Sequence, residues 1–132
     1  MRAQITSLWG ERKVELRQTP RAVTPWGGLV VFVEYLRTIG YVEAVKRHLP
    51  FELRSPNAID PVQTFTAFLV SVLAGARRFA HTGLLRADEA LRRVVGIVRF
   101  PCDDTMRNFF KRFGQAQTYG FYAGLWAWQI GR

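Results

Sequence analysis

The chain has 132 residues, of which 48% are hydrophobic, and a formal net charge of +9. This length and apolar content are sufficient for one domain with a core, and they exclude a disordered chain. The single Cys102 excludes an internal disulfide, and with only His48 and His81 it falls short of a zinc-binding set. The longest apolar run, 65–76, is too short to span a bilayer, and residues 1–9 lack the apolar run of a signal peptide. We therefore expect a cytoplasmic protein without a structural metal and without a membrane partner.

The positive charge is concentrated in two parts of the sequence. Residues 1–24 hold five basic and two acidic groups, residues 25–76 hold four of each, and residues 77–112 hold nine against four. A basic, arginine-rich surface attracts polyanions, and for such a chain nucleic acid is a commoner partner than a membrane. The charge therefore predicts a nucleic-acid partner, with a merely solvated surface as the alternative.

In the first half of the chain, residues 1–23 are polar and mixed, and we expect them to form an arm in which residues 13–17 alternate like a short strand. Thr24-Pro25 is a cap followed by proline at the first helical position, which predicts a helix that ends at Gly40. A shorter helix is predicted over residues 41–49. Asp60-Pro61 repeats the cap-then-proline pattern and begins the most apolar helix, which we expect to be central.

Two short helices are predicted in the basic segment. Asp88 is a good N-cap for the first, Gly96 can end it, and its Arg92 and Arg93 are expected to point outward. In the second, Asp103 or Asp104 can act as the cap and Gly114 can supply a left-handed terminal residue. Its apolar residues recur at i, i+3, i+4 and i+7, which predicts one buried stripe. That stripe comprises Met106, Phe109, Phe110 and Phe113, and the opposite side carries Arg107, Asn108, Lys111 and Arg112.

Two helices joined by residues 96–102, the second with a basic polar face, form the arrangement of a helix-turn-helix DNA reader. The connection is longer than the compact turn of three or four residues that is typical of the motif. An ordinary amphipathic helix pair with a solvated basic face is the alternative.

The last segment, residues 115–132, is predicted to be helical despite Gly120 and Gly124, whose spacing favours close helix packing. It carries five aromatic residues and needs cover on most sides. We expect part of this surface to be exposed, which indicates either a homo-oligomer or a missing neighbour.

Several short motifs occur together in a fixed order, and the chain resembles through them the N-terminal region of bacterial insertion-sequence transposases of the DDE class. The motifs are TPWGGL at 24–29, GARRFAH at 75–81, LRAD at 85–88 followed by Leu91 and Gly96, and PCDDTMR at 101–107. The resemblance covers about residues 20–130. It implies a helical region that contacts the terminal DNA of the element.

In that family, a downstream domain carries three metal-binding carboxylates and requires Mg²⁺. The resemblance implies that this chain ends before the first of them, so it is expected to be a truncated copy with no catalytic residue and no cofactor of its own. Asp103 and Asp104 are accounted for by capping, and we assign them no metal.

The sequence thus predicts an all-α, compact multi-helix domain over residues 24–132, with an arm or strand over 1–23 and a helix-turn-helix-like part over 87–114. The partner is expected to be double-stranded DNA. A non-catalytic interaction or dimerisation module is the alternative, and a membrane-surface protein is disfavoured because the basic and aromatic residues lie on different helices. Base edges are assigned to Arg107 and Asn108, and phosphates to Lys111, Arg112, Arg77, Arg78, Arg92 and Arg93.

Overall fold

A computed structural model describes residues 2–6 and 13–131, and for residues 2–6 and 13–17 it describes the backbone alone. Strand β1, Arg2–Thr6, pairs antiparallel with strand β2, Lys13–Arg17, so that Arg2 lies opposite Arg17 and Thr6 opposite Lys13. The predicted strand at 13–17 is confirmed. The described part of the arm is a two-stranded ribbon.

After residue 17, the described chain is helical. A short 3-10 helix, Phe79–His81, follows the third of its seven α-helices. The α-helices are α1 Leu29–Thr38, α2 Tyr41–His48, α3 Pro61–Leu73, α4 Thr82–Arg86, α5 Glu89–Val95, α6 Asp103–Lys111 and α7 Gln115–Ile130. The prediction of an all-α domain with a short N-terminal strand element is confirmed.

Several predicted helix ends are confirmed in atomic detail. The Asp60 carboxylate accepts from the Val62 N–H at 2.7 Å, and the Asp88 carboxylate accepts from the Leu91 N–H at 2.8 Å. Gly40 and Gly96 have φ angles of 71° and 79°, in the left-handed region that glycine adopts without a Cβ penalty. Capping chemistry therefore sets these boundaries.

Other predicted ends are wrong. Helix α1 begins at Leu29 rather than at Pro25, because the Thr24 hydroxyl accepts from the Trp26 N–H and closes a separate turn first. No side chain caps α6: Asp103 and Asp104 lie inside its first turn, where the helix dipole still favours a carboxylate. Gly114 has a φ of −74° and is the N-cap of α7 instead of a left-handed end to α6.

The core consists of two groups of buried side chains, and α3 contributes to both. Ala67 and Val70 of α3 belong to the first group, and Val62 and Phe65 belong to the second. The first group also holds Leu85, Leu91, Ile97, Phe100 and Met106, and the second also holds Tyr41, Val45, Phe109 and Phe121. The expectation that α3 is the central helix is confirmed.

Candidate nucleic-acid interface

The predicted apolar stripe of α6 faces the core. Met106 is fully buried and Phe109 is 4% exposed, while Phe110 and Phe113 are partly buried. The Phe109 ring meets the Phe51 ring edge-on at 5.5 Å, and the Phe110 ring meets Phe68 of α3 at 4.6 Å. Edge-to-face aromatic contacts at these distances are favourable, so α6 is fixed firmly on the core.

The opposite face of α6 is in solvent, since all four of its predicted side chains, Arg107, Asn108, Lys111 and Arg112, are exposed. Asn108 and Lys111 have no hydrogen-bond or ion-pair partner among the described residues. A rigid helix thus presents four polar side chains together, as the sequence predicted.

Arg107 differs from its neighbours because it has a carboxylate partner on its own helix. Its guanidinium lies 2.6 Å from the Asp104 carboxylate and 3.8 Å from that of Asp103. It also lies 6.0 Å from the centroid of the Phe79 ring. Part of its charge is therefore neutralised before any ligand arrives.

The other basic residues predicted to contact DNA fall into two places. Arg77 and Arg78 are exposed and precede the 3-10 helix, which packs directly against α6. The Arg77 N–H donates to Nδ1 of His81 at 3.1 Å, so this histidine has a structural role. The arginine pair thus adjoins a segment that packs on α6, but the depression that it lines contains no residue of α6.

Arg92 and Arg93 of α5 are placed differently, and they line a depression with Gly96 and Val98 that contains no residue of α6. Arg93 pairs with Glu89 on its own helix. The expectation that both arginines point outward is wrong for Arg92, which is partly buried and whose Nε is buried without a partner among the described atoms.

The connection between α5 and α6 is part of the core, although it is longer than a standard turn. Ile97, Phe100 and Pro101 are buried. Ile97 and Phe100 belong to the same core cluster as Leu91 of α5 and Met106 of α6. Apolar packing therefore fixes the relative positions of the two helices across residues 96–102.

Sequence reasoning missed Arg99, because it lies in this connection and has no helical periodicity to mark it. Its Nη1 donates to the Asn57 carbonyl oxygen at 3.1 Å. Arg99 lines a surface groove together with Asn108 and Arg112 of α6. The structure thus adds one cation to the predicted face.

Helix α7 exposes the aromatic surface that the sequence predicted. Tyr119, Trp126 and Ile130 are 70%, 65% and 66% exposed, whereas Phe121 on the other side is 1% exposed. The segment 115–131 contains no charged residue. The buried side packs on α2, whose His48 ring lies against the backbone of Gly124.

The remaining candidate features have structural explanations. The Cys102 thiol lies at the start of α6, where a hydrogen bond with the Thr105 hydroxyl, assisted by nearby backbone N–H groups, lowers its pKa. No three His, Cys, Asp or Glu side chains of the described residues meet in a group that could hold a metal ion. Within the same residues, every helix is too short or too polar to cross a membrane.

Comparison of the chain with protein-family models, with curated proteins and with solved structures found no match. The resemblance to transposases therefore stays a prediction.

Proposed function

We propose that this chain is the DNA-binding N-terminal module of a DDE-type transposase, which binds transposon-end duplex DNA in the cytoplasm. The observation that supports this most is the exposed face of α6, where four polar side chains stand together on a helix whose other side is locked by phenylalanines.

The dimensions of α6 suit the major groove. Its nine residues span about 14 Å, and a helix with side chains is about 10–12 Å wide, close to the roughly 12 Å width of that groove. Asn108 is the best candidate for a base edge because its amide has no partner among the described residues and can bond adenine in paired fashion. Arg107 can bond guanine only after its ion pair with Asp104 is broken.

The other cations would hold the DNA backbone. Lys111 and Arg112 continue the same face toward the C-terminal end of α6, and Arg77 with Arg78 precedes the 3-10 helix that packs on α6. Phosphate contacts fix register and carry no sequence information, whereas base-edge contacts discriminate between sequences. The two kinds of contact are therefore separable by mutation.

The test is a titration of duplex DNA at several salt concentrations with the double variant Arg107→Ala/Lys111→Ala. Arg37→Ala/Lys46→Ala is a matched control, since it removes the same charge from a cavity wall that contains no residue of α6. Each lost phosphate contact should flatten the log–log salt slope by about 0.9. A lost base contact should cost about 1–3 kcal/mol on the preferred site only.

If the folded α6 variant and the control bind equally well at every salt concentration, α6 is not the reader. Circular dichroism should show unchanged helix content in both variants, because all four substituted side chains are exposed.

A second candidate function, an interaction module, is favoured by α7. Its exposed stripe of Tyr119, Trp126 and Ile130 carries no charge, in a chain whose net charge is +9. Because two such chains repel each other through their basic surfaces, an uncharged apolar face is where two copies approach at least cost. We propose a second copy of the chain as the occupant of this face. Sedimentation across a concentration series tests it.

A further inference from the structure

A groove of about 210 Å³ lies between α6 and the loop 53–59, next to the helix face that the sequence predicted, with which it shares Asn108 and Arg112. Arg99, Asn108 and Arg112 line it together with residues of the loop, among them Asn57 and Ile59. The described lining includes two arginines and no carboxylate. A concave site with converging cations and no acid is suited to an anion.

Both arginines are held by neutral groups. Arg99 donates to the Asn57 carbonyl oxygen at 3.1 Å, and the Arg112 guanidinium lies 5.9 Å from the centroid of the Phe51 ring. A carbonyl or a ring orients a guanidinium without neutralising it. The two side chains are therefore positioned in advance and keep their full charge.

Three other arginines of the chain provide the contrast, since Arg37, Arg93 and Arg107 each pair with a carboxylate three or four residues earlier on the same helix. An anion that binds one of them must compete with that carboxylate. At the groove no such exchange is needed, so an incoming anion gains the whole electrostatic attraction.

The available donors match a phosphodiester. A guanidinium has five N–H donors in a planar fork, and Arg99 uses one of its groups on Asn57. Arginine forks bind phosphate oxygens in bidentate fashion, so the two guanidinium groups can hold one phosphodiester and leave the Asn108 amide for a base edge. Lysine-type point charges would hold a phosphate less specifically.

We propose that this groove is a seat for one backbone phosphate of DNA, with Arg99 and Arg112 as its two cationic walls. This inference rests on the proposed DNA-binding function and adds to it a residue outside α6. The groove fixes where the DNA backbone leaves the α6 face, and Arg99 makes the α5–α6 connection a part of the interface.

The experiment is a double-mutant cycle on duplex DNA with Arg99→Ala, Arg112→Ala and the double variant, with Arg37→Ala as the single-charge control. Each groove variant should weaken binding to all sequences about tenfold, the value of one charge-assisted hydrogen bond. Because both arginines would hold one phosphate, the double variant should flatten the salt slope by about 0.9 rather than by twice that amount. The control should bind like the parent.

Two results would contradict the phosphate site and leave the proposed function intact. In the first, Arg99→Ala binds DNA like the parent although Arg107→Ala/Lys111→Ala binds it more weakly. In the second, the losses of binding free energy from Arg99→Ala and Arg112→Ala are additive. If the parent chain does not bind DNA at all, the proposed function itself fails. Titration with inorganic phosphate, followed by the NMR shift of the Asn108 side-chain amide, distinguishes a site for free phosphate from a site for a DNA phosphate. A response to phosphate without DNA binding would contradict the assignment to a DNA backbone.

Discussion

Helices α6 and α7 follow one another directly at Gly114 and help to build the same core cluster, through Phe109 and Phe121 respectively. Their exposed faces are opposite in character. The face of α6 carries arginine, asparagine and lysine, whereas α7 shows tyrosine, tryptophan and isoleucine and has no charge along its length. Burial therefore sets how both helices pack, and the residues left outside set what each can bind.

The difference also separates two kinds of exposed residue. The polar face of α6 is well hydrated when free, so its exposure has little cost. When its cations neutralise phosphates, counterions leave the DNA and binding is favoured. The apolar stripe of α7 is poorly solvated when free, and it gains by being covered. A polyanion fits the first helix and a protein surface fits the second.

The largest expected effect separates the buried side of α6 from the exposed side of α7. Phe109→Ala should destabilise the fold by about 3–5 kcal/mol, because it removes a buried ring and leaves a cavity. Trp126→Ala removes a still larger side chain, but one that is 65% exposed, and it should change monomer stability by no more than about 0.5 kcal/mol. Urea denaturation at low protein concentration measures both.

Similar losses in the two variants would contradict the contrast between the helices. A small loss in Phe109→Ala alone would mean that α6 is not fixed on the core by its phenylalanines.

The next effect concerns association through the exposed side of α7. If a second copy covers the stripe, Trp126→Ala should weaken dimerisation by about 2 kcal/mol, roughly thirtyfold, as is typical of a tryptophan at the centre of an interface. Analytical ultracentrifugation over a wide concentration range provides the measurement. Val98→Ala is a suitable control, since Val98 is 83% exposed and lies outside α7.

A chain that stays monomeric at every concentration would exclude the second copy as the occupant. Equal weakening by the two variants would place the interface elsewhere on the surface.

A smaller effect compares the two glycines of α7, for which opposite signs are expected. A Cβ at Gly124 would lie 2.7 Å from Cε1 of His48, whereas a Cβ at Gly120 meets nothing within 4 Å. Gly124→Ala should therefore cost about 1–3 kcal/mol through overpacking between α2 and α7. Gly120→Ala should stabilise the helix by about 0.5–1 kcal/mol.

Thermal denaturation of both variants tests this pair. Stabilisation by Gly124→Ala would show that the His48 ring moves aside without cost, and that the α2–α7 contact does not depend on glycine.

The sequence predicted most of what periodicity and capping encode. The stripe of α6, the caps at Asp60 and Asp88 and the turn at Gly40 depend on neighbouring residues, and the structure confirms them. The start of α1 was predicted wrongly because Thr24 closes a turn of its own, which a cap-then-proline pattern does not distinguish from a helix start.

The candidate site was less predictable, because its parts come from distant segments. The carboxylate partner of Arg107 could have been read from the i, i+3 spacing of Asp104, since such pairs face each other on a helix. The contact of Arg99 with Asn57 could not have been predicted from the sequence, because it joins two irregular segments far apart in the chain. The same holds for the His48 ring on Gly124, which depends on how α2 and α7 cross.

The smallest expected effect sharpens the view of α6 as a DNA-binding face. Asp104→Asn removes the carboxylate 2.6 Å from Arg107 and keeps the size of the side chain. The fold should lose no more than about 1 kcal/mol, because the pair is exposed and its value is small. DNA affinity should rise about threefold to tenfold and the salt slope should steepen by up to about 0.9, since a repulsive charge disappears and Arg107 is released.

The matched control is Glu34→Gln on α1, where Glu34 pairs with Arg37 at the same distance of 2.6 Å and with the same i, i+3 spacing. Both variants raise the net charge by one and release one arginine, so they differ only in which surface gains it. An equal gain in both would attribute DNA binding to net charge, and no gain in either would count against a polyanion partner. A gain in Asp104→Asn alone would indicate that the DNA lies on α6, because only that variant frees an arginine on this helix. The size of the gain would then be limited by Asp103, which stays 3.8 Å from Arg107 and still attracts its guanidinium.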